Sequence, residues 1–270
     1  MKPDEVPQAS AARSAATSDI DPGTAALAQL RIVLVSTSHP GNVGSTARAM
    51  KTMGIADLAL VTPRYADVLA SPEAHALAAG ADDVLAAATV HASVADAIGI
   101  CSWSVALTAR SRDLAPPLER LDEAARHAIA VAARGARVAL VFGSERYGLS
   151  NAELQQCQVC CTIPTAPGFG SLNLAMAVQI ATYECRKAAL ALTTRSDVAR
   201  DAIELASEAE REQYFEHLER ALVAIDFLNL EQSPKLMGRL RRLYARTTLE
   251  RDEVNILRGI CTAILKATQS

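Results

Sequence analysis

No uncharged apolar stretch in this sequence approaches roughly 20 residues, so no transmembrane helix is expected. Residues 1–29 carry charges, Ser and Pro but no apolar h-region, which argues against a secretory signal. Aromatic residues are scarce, at 4%, while hydrophobic residues reach 50% and charged ones 21%. That balance is globular and excludes collagen-like, disulfide-scaffold and disordered classes. A length of 270 residues allows one large domain or two modest ones. Six cysteines without an export signal are read as reduced thiols of a cytoplasmic protein. Positive charge is not in excess either. The net charge is −3, so any nucleic-acid binding needs a local basic patch.

Fingerprints of the common α/β enzymes are also missing. No G-x-G-x-x-G follows a strand, and there is neither a Walker A loop nor a G-x-S-x-G elbow. Dinucleotide oxidoreductases, P-loop NTPases and α/β-hydrolases are therefore poor fits. Cys157 and Cys160 have C-x-x-C spacing, but no second His or Cys pair completes a zinc site. They are read as small hydrophobes at a buried strand, and no metal is expected. No internal repeat is present.

What is present is an alternation. Apolar runs at 31–35, 57–61, 102–107, 137–142 and 158–163 read as strands. Helical patterns at 43–54, 72–79, 93–98, 118–133, 151–156 and 172–190 accompany them. This order predicts an α/β domain with a mostly parallel sheet covered on both faces. Ligands of such sheets sit beyond the carboxyl ends of the strands, where loops 36–44, 108–117, 143–150 and 164–171 leave. Residues 1–29 read as a disordered tail, 30–191 as the α/β domain, 192–208 as a linker and 209–270 as an all-helical appendage. In the appendage, Leu218, Leu222 and Ile225 share a face and Ser233-Pro234 opens a second helix. Val254, Ile256, Leu257, Ile260 and Ile264 are the apolar positions of the last helix.

Three segments carry the chemistry. In Asn42-Val-Gly-Ser-Thr-Ala-Arg48, Asn42 can cap a helix, Gly44 permits close backbone approach and Arg48 lies near the loop face. Alone, this is equally a capped helix with a surface arginine. In V-F-G-S-E-R-Y-G-L at 141–149, a buried strand enters a tight loop with Glu145 and Arg146 between two glycines. Gly143 lets a flat ligand approach the backbone; the plainer reading is an ordinary strand-to-helix turn. In I-P-T-A-P-G-F-G-S-L-N-L-A at 163–175, two prolines and two glycines shape a loop feeding a helix N-terminus. Ser171 can cap there, and Ser171 and Asn173 sit beside outward-pointing N–H groups. The three segments together are far more specific than any one.

N-x-G-S-x-A-R, V-F-G-x-E-x-x-G-L and I-P-x(6)-S-L-N-L-A-M-A resemble the three motifs of SPOUT-class RNA ribose 2′-O-methyltransferases. The run R-I-V-L-V-x-T-S-H-x-G-N-x-G-S-x-A-R-A-M-K-T-M-G, with T-A-R-S-R at 108–112 and N-I-L-R-G-I at 255–260, resembles the TrmJ family of tRNA (cytidine/uridine-2′-O)-methyltransferases. The resemblance covers about residues 30–265. It implies an α/β SPOUT-type parallel sheet with a C-terminal trefoil knot, followed by the helical appendage. It also implies a homodimer that binds S-adenosylmethionine (AdoMet) and tRNA and methylates the ribose at nucleotide 32 of the anticodon loop. AdoMet is then expected at Leu107, Thr108, Ala109, Gly143, Ile163, Gly170, Ser171 and Leu172. Arg48 matches the family's catalytic arginine and Ser171 a serine linked to catalysis, with Asn42 beside them. Substrate contacts are expected at Arg110, Arg112, Glu145, Arg146, Asn173, Arg239 and Arg242.

The chemistry fits. The methyl of a sulfonium is already electrophilic, so transfer needs alignment of the 2′-hydroxyl and loss of its proton. An arginine, with a pKa above about 12, is a poor base, so Arg48 is read as an electrostatic and positioning group. Lys235, Arg239, Arg241, Arg242 and Arg246 cluster on one appendage helix, either for RNA contact or for solubility alone. Two other readings stand beside this one. One is a relative acting on another tRNA or rRNA nucleotide. The other is a non-catalytic RNA-binding module, against which the intact Asn42, Arg48, Ser171 and Asn173 argue.

Overall fold

Runs of Val, Leu and Ile pair into strands, and segments with one apolar face between them form helices that cover the sheet. The computed structural model describes residues 21–109, 116–167, 169–193, 204–229 and 235–268. In chain order the elements are α1 (Pro22–Leu27), β1 (Leu30–Val35), α2 (Pro40–Met53), β2 (Asp57–Val61), α3 (Pro72–Ala78), α4 (Asp82–Ala87), β3 (Thr89–His91), α5 (Val94–Ile98) and β4 (Trp103–Leu107). They continue with β5 (Leu118–Arg120), α6 (Leu121–Ala132), β6 (Val138–Phe142), α7 (Asn151–Gln156), β7 (Val159–Thr162), α8 (Leu174–Thr193), α9 (Glu208–Ala224), α10 (Leu236–Tyr244) and α11 (Arg251–Ala267).

The strands form one seven-stranded parallel sheet in the order β3-β2-β1-β6-β4-β7-β5. β1, β6 and β4 are buried at every position. Alternate residues serve the two faces, as the period of a strand requires. Ile32 and Leu34 join the larger core with α2, α6 and α8, while Val33 and Val35 join a smaller one with α5 and α7. The register places Leu34 beside Phe142, Phe142 beside Leu107, and Leu107 beside Cys161. The loops after β1, β6, β4 and β7 therefore leave the sheet at one level.

Several expectations need correction. Residues 21–29, read as tail, include α1: Asp21 caps it by accepting from the Thr24 N–H (3.0 Å), and Ala26 and Leu27 are buried. Two turns of chain were too short to show a helical period. The helix expected from 118 begins at Leu121, because residues 118–120 pair with β7 as edge strand β5. β3 and α4 were not foreseen; β3 is a three-residue edge strand with little burial to pattern it.

The helical unit has its own core of Ala206, Tyr214, Phe215, Ala221, Leu249, Val254 and Cys261. Tyr214, Phe215 and Tyr244 pack ring against ring with centroids 5.2–5.9 Å apart. Ile225, expected on the apolar face, lies past the end of α9 and is exposed. Ile256 and Ile260 are exposed as well; Val254 and Cys261 face inward instead, and Leu257 and Ile264 are partly buried. Of the expected linker, residues 194–203 lie outside the described residues, as does Ser233-Pro234. Residues 204–208 are tied down. Leu205 bridges Glu250, and Glu208 accepts from the Ser104 hydroxyl (2.6 Å) while its N–H donates to Cys101 O (2.7 Å). His127 of α6 stacks on Trp103 (4.7 Å) and bonds Thr248 (3.2 Å), a second link between the units.

Candidate active site

A cavity of about 380 Å³ opens at the carboxyl ends of β4, β6 and β7. Its wall includes Leu107, Thr108 and Ala109 after β4, Gly143 to Gly148 after β6, and Ile163, Gly170, Ser171 and Leu172 after β7. All eight residues expected to hold a cofactor line it. Phe142, Tyr147, Leu174 and Ala177 complete it and were not foreseen, although Tyr147 stands inside the second segment. The volume lies in the range of about 300–1,000 Å³ of small-molecule sites.

The β6 loop is held by backbone contact. A Cβ on Gly143 would collide with the backbone of Gly148 and Leu149, so the glycine permits the loop to fold back on the strand end. That is a different use from the ligand approach expected of it. Gly44 likewise admits a neighbouring element: a Cβ there would collide with the carbonyl of Ala74 in α3.

Asn42 was expected to cap its helix. α2 instead starts at Pro40 with His39 at the cap position, which frees the Asn42 side chain. Asn42 Nδ2 donates to Glu145 Oε1 (2.7 Å), and Asn173 Nδ2 donates to Asn42 Oδ1 (2.9 Å). Asn173 Oδ1 in turn accepts from the Ala175 N–H (2.9 Å), so Asn173, not Ser171, caps α8. Glu145 also accepts from the Ser38 N–H (3.0 Å), the Ser38 hydroxyl (2.8 Å) and the Thr37 hydroxyl (3.1 Å). One network thus joins all three segments. Ser38 and Thr37 are not among the expected site residues, although both stand in the run that resembles the family, R-I-V-L-V-x-T-S-H.

Burial pushes the Glu145 carboxyl up, but the bonds from Asn42, its own backbone N–H and Ser38 outweigh this and hold its pKa at about 2. Both Glu145 and Asn173, expected to contact substrate, therefore have their side chains engaged within the protein. Arg48 is the opposite case. It is exposed on α2 and makes no hydrogen bond or ion pair among the described residues. Ser171 is exposed on the cavity wall, also without a described partner. Arg146 lies over the Tyr147 ring at 5.2 Å. Arg110 and Arg112 lie outside the described residues.

On α10, Arg239 and Arg242 are exposed without ion pairs among the described residues; Arg246 is likewise exposed but lies past the helix end at Tyr244, and Lys235 stands at the cap position before the helix, so neither is on it as expected. Arg241 differs: it pairs with Glu212 (2.5 and 2.6 Å) over the Phe215 ring. All six cysteines are buried free thiols, and burial raises the pKa of Cys101 to about 12. Among the described residues no group of three or more His, Cys, Asp or Glu could hold a metal, and no helix is long and apolar enough to cross a membrane.

The SpoU rRNA Methylase family matches residues 29–183, and the C-terminal domain of tRNA methyltransferase TrmJ matches residues 209–270. The chain belongs to the TrmJ family of SpoU-type methylases. Within that family it is 44% identical over 242 residues to the tRNA (cytidine/uridine-2′-O-)-methyltransferase TrmJ of Photorhabdus laumondii, covering 89% of this chain and 98% of that one. It is 44% identical over 250 residues to the tRNA (cytidine/uridine/adenosine-2′-O-)-methyltransferase TrmJ of Pseudomonas aeruginosa, covering 90% and 96%. The crystal structure of TrmJ from Z. mobilis ZM4 superposes with a TM-score of 0.72 at 32% identity, over 87% of this chain and 98% of that one.

Proposed function

We propose that this chain transfers the methyl group of AdoMet to the ribose 2′-hydroxyl of a cytidine or uridine at position 32 in the tRNA anticodon loop. The observation that carries this reading is the cavity at the strand ends, with Arg48, unpaired among the described residues, on a helix tied to its rim. The relatives of similar length are tRNA 2′-O-methyltransferases, which supports the reaction class. When bound, AdoMet supplies an electrophilic methyl carbon. Leu107, Phe142, Ile163 and Leu172 offer it an apolar wall, and Thr108, Gly143 and Gly170 offer backbone groups.

Glu145 and Asn173 are positioning residues in this reading. They act through Asn42, which locks α2 to the loops after β6 and β7. Arg48 on the same helix grips a phosphate bidentately and stabilises negative charge developing on the 2′-oxygen. Ser171 orients the ribose from the cavity wall. Arg239, Arg242 and Arg246 meet phosphates of the tRNA stem, which predicts binding that weakens steeply with salt.

The same reading includes a trefoil knot built around the loops after β4, β6 and β7, and a homodimer. Met176, Tyr183 and Leu190 recur at seven-residue spacing on α8, 61%, 50% and 53% exposed, and suit an interface between copies. Sedimentation equilibrium tests this: Tyr183→Glu should yield monomer.

The decisive experiment incubates the protein with labelled AdoMet and unmodified tRNA, then maps the methyl by nuclease digestion and mass spectrometry. A ribose methyl at nucleotide 32, reduced about 10²–10³-fold by Arg48→Ala, is the expected result. Methylation elsewhere discards position 32 and keeps the chemistry. Near-full turnover by Arg48→Lys overturns the bidentate role.

A further inference from the structure

The two most exposed large hydrophobic side chains among the described residues both stand beside the cavity. Tyr147 is 74% exposed and Phe169 is 81% exposed. This is an unusual use of aromatics in a chain where they make up 4% of residues and where Trp103, Phe142, Tyr214 and Phe215 are buried. Each exposed ring is carried on a tight turn. The Tyr147 N–H donates to Ser144 Oγ (3.3 Å) within a turn closed by the Ser144–Gly148 bridge. The Phe169 N–H donates to Ala166 O (3.2 Å) across the Ala166–Phe169 bridge. Tyr147 lines the cavity and Phe169 adjoins Gly170, which does. So the rings stand on two different cavity loops, held by backbone bonds and without an apolar cover.

We propose that Tyr147 and Phe169 form a stacking platform for unpaired RNA bases, one of them the base of the nucleotide being methylated. This inference rests on the proposed function and goes beyond it. A ribose presented to the cavity brings its own base to the rim, within reach of the rims of both loops. Single-stranded RNA is recognised chiefly by such stacking, which tolerates any base because each has a π-face. Arg146, over the Tyr147 ring at 5.2 Å, adds a cation beside the stack. The platform makes an unpaired loop, rather than a duplex, the accepted RNA form, and it discriminates weakly between cytidine and uridine.

The test uses the full chain and an anticodon stem-loop RNA carrying 2-aminopurine next to the target nucleotide. Binding should quench the fluorophore, and Tyr147→Ala with Phe169→Ala should abolish the quenching. Phe169→Ala should lower kcat/KM for RNA at least about fivefold with AdoMet affinity unchanged. Phe169→Tyr and Tyr147→Phe should restore it, and Phe169→Leu should not. Quenching or RNA kinetics indifferent to the double substitution overturns the platform. So does a change of oligomeric state in the double variant, which would assign the rings to an interface between copies. The two failures are separable: no methyl transfer by the unaltered chain, with ring-dependent quenching intact, sinks the proposed function and leaves the platform standing.

Discussion

In the α/β unit, β1, β6 and β4 are buried from end to end, whereas α10 of the helical unit buries no residue at all. The first is a layered core with helices on both faces. The second is a small core of three rings and a few aliphatics, reinforced by pairs such as Arg241–Glu212 and Arg251–Glu210. The difference separates two tasks. A row of strand ends locked in register can hold loops for chemistry, because each loop leaves from backbone that cannot shift. A thinly buried helix leaves Arg239 and Arg242 exposed, with Arg246 just past its end, which suits the phosphate contacts proposed above, where alignment matters less than charge.

The largest expected effect breaks this comparison on the helical side. Tyr214→Ala removes a ring that is 1% exposed and should cost about 3–5 kcal/mol. Hydrogen exchange should then show α9 to α11 opening while Val138 to Phe142 stays protected. Joint loss of protection would mean that the links through Glu208 and His127 make the units one cooperative body. On the other side, Gly143→Ala forces a Cβ into the Gly148–Leu149 backbone and should cost about 1–3 kcal/mol. AdoMet affinity by calorimetry should fall, with the helical unit unaffected.

Glu145 sharpens the comparison further. Its folded pKa of about 2 lies below the ordinary 4.5, so its contribution to stability is complete above pH 4.5. It is lost as pH falls from there through about 2. Melting temperatures of Glu145→Gln should lie below those of the unaltered chain at neutral pH and converge with them on acidification. A constant gap from pH 7 to 3 would contradict the ionised network. The smallest effect belongs to the exposed arginines. Arg239→Ala and Arg242→Ala should each reduce the slope of log affinity for tRNA against log salt by about 1, with no change in melting temperature.

Much of this was readable in the chain. Leu30–Val35, Asp57–Val61, Trp103–Leu107 and Val138–Phe142 fall within about a residue of their expected limits, because burial on both faces leaves continuous apolar runs. The cavity lining followed from motif resemblance. Asn42, Ser171 and Glu145 were harder. Whether a polar side chain caps its own helix or reaches across to another loop depends on which strand lies next in the sheet, and 103 residues separate Asn42 from Glu145.

The amino-acid pattern by itself determined the alternation of strands and helices, the three glycine-bearing loops and the family. Local periodicity and short motifs need no distant partner to be recognised. Only the tertiary structure decided the strand order that brings β6 between β1 and β4, the hydrogen bonds that tie Glu145 and Asn173 to Asn42, and the exposure of Arg48 and of the two rings. Those outcomes depend on which groups meet across the sheet, and no window of sequence contains both members of such a pair.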